Sequence, residues 1–138
     1  MQAFRELCFK IEGPDQGNVK VCGVGLNGLK KPSGDLYLGN SGTSMRLMSG
    51  LLAGQKFDTV LTGDTSLSGR PMKRVTEPLL EMGATIQTTE SGTAPLKISG
   101  NADLHGFHYQ MPVASAQVKS CLLLAGLYAS GETCVSEP

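Results

Sequence analysis

Three stretches of this chain carry residue types that could hold an anion. The first is Gly39-Asn40-Ser41-Gly42-Thr43-Ser44-Met45-Arg46. Asn40, Ser41, Thr43 and Ser44 are all helix N-cap types. Gly39 and Gly42 let backbone N–H groups approach a ligand closely. A helix start offers unpaired N–H groups and the positive end of a dipole, and Arg46 adds a full charge about one turn in. The second is Arg70-Pro71, where the proline pushes Arg70 toward extended geometry and frees its guanidinium to fork onto a phosphate or carboxylate. The third is Val113 to Ser120, where Ser115, backbone N–H groups and the Gln117 amide could hold a second oxyanion. Read singly, these are also an ordinary capped turn, a surface arginine and an N-cap serine. Read together, they suggest a pocket for a small molecule rich in negative charge.

Other chemistry finds less support. His105 and His108 have no further ligand types around them, so no metal is expected. No Ser-His-Asp order or Cys-His pairing stands out. Asp64 could be a catalytic acid, but an aspartate before Thr65-Ser66 is more often a cap. The glycine loop lacks the Gly-Lys-Ser/Thr of a phosphate-binding P-loop. The formal net charge of zero indicates no nucleic-acid partner. The apolar run from Cys121 to Leu127 is too short to span a bilayer, and no signal peptide is visible. Cys8, Cys22, Cys121 and Cys134 show no metal spacing and read as free, buried thiols of a reducing cytoplasm.

The elements that must position these residues follow from periodicity. Met1–Cys8 has a helical pattern. Phe9–Glu12 and Val19–Val24 alternate around the turn 13–18 as a hairpin. Leu36–Leu38 reads as a strand, followed by a helix to Ala53 that stops at Gly54. Phe57–Thr62 is a strand, and 63–69 a loop. Arg70-Pro71-Met72 opens a second helix that Pro78 should kink or restart and Gly83 should end. Ala84–Thr88 and Ala94–Ser99 form a hairpin across Glu90-Ser91-Gly92. A strand near Phe107–Met111, a helix from Ser115 to Tyr128 and a strand at Gly131–Val135 finish the chain.

Two pairs of segments resemble one another. Phe4–Ile11 reads like Leu79–Ile86, and Tyr37–Gly54 like Tyr109–Gly126, which sets Ser115 against Thr43. The period of roughly 70 to 75 residues marks a repeated unit of strand, helix, strand, helix and hairpin. The expected divisions are 1–30 as the end of one unit, 31–102 as a complete unit and 103–138 as the start of a third. A helix at full stride from Met1 and the lack of a finishing element suggest a piece of a longer protein.

At these residues the sequence resembles the enolpyruvyl transferase family. The matching motifs are Gly39 to Arg46, Gly63-Asp64-Thr65-Ser66-Leu67 with Arg70-Pro71-Met72, and Ala114-Ser115-Ala116-Gln117-Val118-Lys119-Ser120. The last is similar to the form in many bacterial members. The resemblance implies an α/β fold of the α+β type: two domains, each of three βαβαββ units about a pseudo-threefold axis. This chain would be part of the N-terminal one. It also implies a cytoplasmic, cofactor-free transferase. That enzyme moves the enolpyruvyl group of phosphoenolpyruvate to shikimate 3-phosphate, on the route to chorismate and aromatic amino acids. Gly42, Arg70 and Gln117 match phosphoenolpyruvate contacts. Ser115, Ala116 and Gln117 match shikimate 3-phosphate contacts. Asn40, Thr43 and Arg46 line the same place. Gly42 also matches the glycine whose enlargement to alanine obstructs glyphosate. The family's Pro-Gly-Ser-Lys-Ser motif and second domain, which carries the acid–base residues, do not occur here. The chain alone is therefore expected not to turn over, and the whole enzyme to be monomeric. The alternatives are the relative acting on UDP-N-acetylglucosamine, against which the second and third motifs speak, and an anion-binding module without chemistry.

Overall fold

The structure is a computed structural model that describes residues 1–138. Its centre is a four-stranded sheet of β3 (Leu36–Tyr37), β4 (Thr59–Thr62), β6 (Leu96–Ser99) and β5 (Thr85–Gln87), in that order. β3 and β4 are parallel and joined through helix α2 (Gly42–Ala53); β4–β6 and β5–β6 are antiparallel. Alternation decides which face is buried. Leu61, Ile86, Leu96 and Ile98 point into the core, while Thr85, Gln87 and Lys97 face out.

Helix α4 (Lys73–Glu81) connects β4 to the β5–β6 hairpin and buries Val75, Thr76, Pro78 and Leu79. Beyond the sheet, β7 (His108–Gln110) and β8 (Cys134–Ser136) form a parallel pair around helix α5 (Ala116–Gly126). At the other end, helix α1 (Gln2–Glu6) leads into the antiparallel ribbon β1 (Lys10–Asp15) and β2 (Asn18–Cys22). Mixed helices and strands in this order make an α/β fold of the α+β type.

α2 is enclosed by the sheet on one side and α5 on the other, so it buries residues around most of its circumference, from Met45 to Ala53. α5 runs parallel to it. Gln117 meets Thr43 at one end, Cys121 meets Gly50 midway, and Tyr128 meets Gly54 at the other. At the middle crossing a Cβ on Gly50 would stand 2.0 Å from the Cys121 carbonyl oxygen. Only glycine admits that approach.

Helices α1 and α4 end alike. After α4, the Gly83 N–H bonds the Leu80 carbonyl and the Ala84 N–H the Leu79 carbonyl, with Gly83 at φ +98°. After α1, Cys8 bonds Arg5 and Phe9 bonds Phe4 in the same pattern, with Cys8 at φ 78°. Both are the left-handed helix stop that normally takes glycine. The sequence alignment of Phe4–Ile11 with Leu79–Ile86 pairs these two positions.

Several expectations need correction. Residues 63–69 are not all loop: Asp64 caps a single turn, α3 (Thr65–Ser68). Pro78 does not restart α4; Lys73–Glu81 is one helix, with Pro78 packed in the core. Arg70 and Pro71 lie before α4 rather than opening it, since Met72 is its N-cap. Only Cys121 is buried; Cys8, Cys22 and Cys134 are free and exposed. The repeat also drifts in phase. Ser115 caps α5 as Ser41 caps α2, so it corresponds to Ser41 and not to Thr43. Tyr37 faces out of β3 whereas Tyr109 packs against the core, so the two tyrosines that the sequence pairs do not occupy equivalent positions either. Gly126 falls inside α5, whereas Gly54 caps α2. No helix is long and apolar enough to cross a membrane.

Candidate active site

The site forms where α2 and α5 begin. Leu38 and Gly39 continue β3 past its last pair with β4, and Gly39 turns at φ +58° to start the loop. The Ser41 hydroxyl then accepts the Ser44 N–H at 3.2 Å. At α5, the Ser115 hydroxyl accepts the Val118 N–H at 3.3 Å. Because the helices are parallel, their two positive ends lie side by side. The Gln117 amide joins them. It donates to Thr43 Oγ1 at 2.9 Å and accepts from Arg46 Nη1 at 3.0 Å.

Arg46 reaches across from α2 and also donates to the Pro71 carbonyl at 3.4 Å. That bond links it to the backbone segment carrying Arg70. Arg70 in turn donates from Nη2 to Asn40 Oδ1 at 2.6 Å. Its other terminal nitrogen lies over Gly42. A Cβ there would be 3.1 Å from Arg70 Nη1 and 2.9 Å from Arg46 Nη1. Gly42 therefore does not serve a turn; it leaves room for two guanidinium groups above the first turn of α2.

The charge is lopsided. Partial burial, followed by the like charges of Arg70 and Arg74, lowers the Arg46 pKa. Arg46 remains a cation at neutral pH, but a crowded one that a negative ligand would relieve. Asp64 is the carboxylate in the network. The Leu67 N–H first, then Asn40, hold its pKa below the usual aspartate range, with Arg70 adding to the effect.

The structure thus gathers Asn40, Gly42, Thr43, Arg46, Arg70 and Gln117 into one linked network, with Ser115 and Ala116 beside Gln117 at the start of α5. Two residues outside the expected set belong here. Arg74 is the second residue of α4, and its charge bears on Arg46; its spacing of four residues from Arg70 was the available signal. Asp64 was weighed as an acid or a cap; it does cap α3, and it also binds Asn40. A hollow of about 380 Å³ lies away from this network, at the far ends of α2 and α5, beside Gly54, Gln55 and Tyr128. There both helices present carbonyls, which do not suit an anion.

Comparison with known proteins bears on this arrangement. The family model described as EPSP synthase (3-phosphoshikimate 1-carboxyvinyltransferase) matches residues 1–138. The chain is 69% identical over its whole length to the 3-phosphoshikimate 1-carboxyvinyltransferase of Methylococcus capsulatus and 64% to that of Alkalilimnicola ehrlichii, covering 32% and 31% of those proteins. It superposes on the EPSP synthase of Acinetobacter baumannii with a TM-score of 0.97 at 61% identity, covering 99% of this chain and 31% of that one. The chain thus spans about a third of the length of the curated relatives it matches. Identity at this level over every residue, with the same course of the backbone, leaves one conclusion: the chain belongs to the EPSP synthase family.

Proposed function

We propose that this chain forms one wall of the active site of a 3-phosphoshikimate 1-carboxyvinyltransferase, which joins phosphoenolpyruvate to shikimate 3-phosphate and releases phosphate. The observation that carries this reading is the pair of parallel helix starts bridged by Gln117 and crowned by Arg46 and Arg70. Two substrates with several negative charges repel each other, and catalysis needs them held together. Fixed N–H dipoles and guanidinium groups supply that without reorganising, so this wall's contribution is orientation and electrostatic stabilisation.

In this reading Gly42, Arg70 and Gln117 hold phosphoenolpyruvate. Ser115, Ala116 and Gln117 hold shikimate 3-phosphate, Gln117 standing between the two. Asn40, Thr43 and Arg46 keep the wall in shape. Residues 31–102 are one complete βαβαββ unit, 1–30 the end of the unit before it and 103–138 the start of the next. The opposite wall, with the acid–base groups, comes from the rest of a longer polypeptide that works in the cytoplasm as a monomer. The chain alone accordingly binds weakly and does not turn over.

Titration of the ¹⁵N-labelled chain tests this. Shikimate 3-phosphate should shift the amides of Ser115 to Gln117, and phosphoenolpyruvate those around Gly42. Shifts with UDP-N-acetylglucosamine alone would favour the sugar-nucleotide relative. Shifts with neither ligand class would reduce the wall to a scaffold. Phosphate release from the chain with both substrates would contradict the need for a second wall.

A further inference from the structure

We propose that Asp64 is a positioning residue for Arg70, acting through Asn40. The proposal rests on the anion-binding reading above and adds a residue to it. The parallel register of β3 and β4 places the ends of these strands side by side, and the Asp64 N–H bonds the Gly39 carbonyl at 2.9 Å. Asp64 and Asn40 are therefore brought together by the sheet itself. Asn40 Nδ2 lies 2.9 Å and 3.1 Å from the two carboxylate oxygens.

A carboxylate only accepts hydrogen bonds and a guanidinium only donates them. Between them the Asn40 amide has one satisfactory orientation, with nitrogen toward Asp64 and oxygen toward Arg70. Turned over, it would set oxygen against the carboxylate and N–H against the guanidinium. In the observed orientation Oδ1 receives Arg70 Nη2 at 2.6 Å, which leaves Nη1 over Gly42. Asp64 thus fixes the direction of an amide, and the amide fixes the direction of a cation. The low pKa of Asp64 agrees with a carboxylate that stays ionised in this role.

Asp64 also caps α3 by accepting the Leu67 N–H at 2.8 Å, so the test must separate cap from lock. Asp64→Asn does so, because asparagine caps as well as aspartate but brings an N–H donor toward Asn40. Asp64→Ser is a second variant that keeps a cap and removes the carboxylate. The readouts are the ¹⁵N guanidinium resonances of Arg70 and the affinity for phosphoenolpyruvate. Restricted, separate Nη signals in the parent chain should merge in both variants. The affinity should fall about tenfold, as expected when a charged hydrogen bond is lost. Asn40→Ala should do the same, and adding Asp64→Asn to it should change affinity by less than about twofold. Unchanged Arg70 signals in Asp64→Asn, or a further tenfold loss in the Asn40→Ala background, would overturn the proposal. A parent chain that shows no phosphoenolpyruvate shift at Gly42 would count against the anion site, while the Arg70 spectra would still decide the role of Asp64.

Discussion

Replacing Gly50 by alanine tests the packing that brings the two helix starts together. The added Cβ would stand 2.0 Å from the Cys121 carbonyl oxygen, 2.7 Å from its carbon and 3.0 Å from its Cα. Ordinary contact begins near 3.4 Å, so the oxygen is short of it by about 1.4 Å. All three atoms are helix backbone and cannot swing aside as a side chain would. α5 must move as a body, dragging Val118, Leu122 and Ala125 out of register with α2. Overpacking of this kind costs about 3 kcal/mol, at the upper end of the usual range, because nothing local can yield. Alanine returns about 1 kcal/mol in helix propensity. The net loss is about 2 kcal/mol, or a fall of roughly 8 °C in Tm for a chain of this size. The Gln117–Thr43 bond sits on the same interface and should lengthen. Thermal melts and urea titrations of the variant measure the loss, with Gly69→Ala as the control. A Cβ on Gly69 would have no neighbour closer than 3.7 Å, so that change should stay within about 0.5 kcal/mol. If Gly50→Ala melted with the control, the close helix crossing would not be what holds α5 in place.

The same substitution at Gly42 should behave oppositely. The atoms nearest its Cβ belong to the Arg46 and Arg70 side chains, which can yield where backbone cannot, so stability should change by less than about 0.5 kcal/mol. Phosphoenolpyruvate affinity should drop about fivefold, from about 1 kcal/mol of disturbed bonding, measurable by calorimetry. Cys8→Gly should raise stability by about 1 kcal/mol, since Cys8 holds a left-handed φ of 78° that glycine adopts freely; an unchanged urea midpoint would contradict this. The pKa of Asp64 is depressed in the folded chain, so its contribution is present above the ordinary carboxylate range and is lost as pH falls through its lower folded value. The melting temperatures of the parent and Asp64→Asn should therefore differ at neutral pH and converge below about pH 4. Burial pushes the Cys121 thiol up to about 12, so alkylation at pH 8 should label Cys8, Cys22 and Cys134 quickly and Cys121 only on unfolding.

Much of this was legible from residue types and spacing. Alternation found the β5–β6 hairpin, and the small-residue loop after Leu36–Leu38 found the start of α2, because both signals are local. The motifs at 39–46, 70–72 and 114–120 pointed to one place before any coordinates did. What spacing could not show was pairwise geometry. That Gln117 would lie on Thr43 depends on helices packed through Gly50 and Cys121, a contact between residues 71 positions apart. Cysteine burial was misread because thiol type carries a general preference, while Cys22 and Cys134 sit on strands whose side chains face out. That Pro78 would not restart the helix was not legible locally, because the rule against interior proline is a cost that buried neighbours on α4 outweigh.

The difference between the first turns of α2 and α5 has a consequence for discrimination. Duplicated segments of identical sequence would present matching chemistry at both helix starts and so could not tell one end of a ligand from the other. Here each copy opens with a serine, and then the copies diverge: glycine and threonine follow Ser41, alanine and glutamine follow Ser115. A slim pair thus faces a bulkier, amide-bearing pair across the seam. Approximate symmetry supplies the shared taste for anions, and its imperfection gives the receptacle a left and a right.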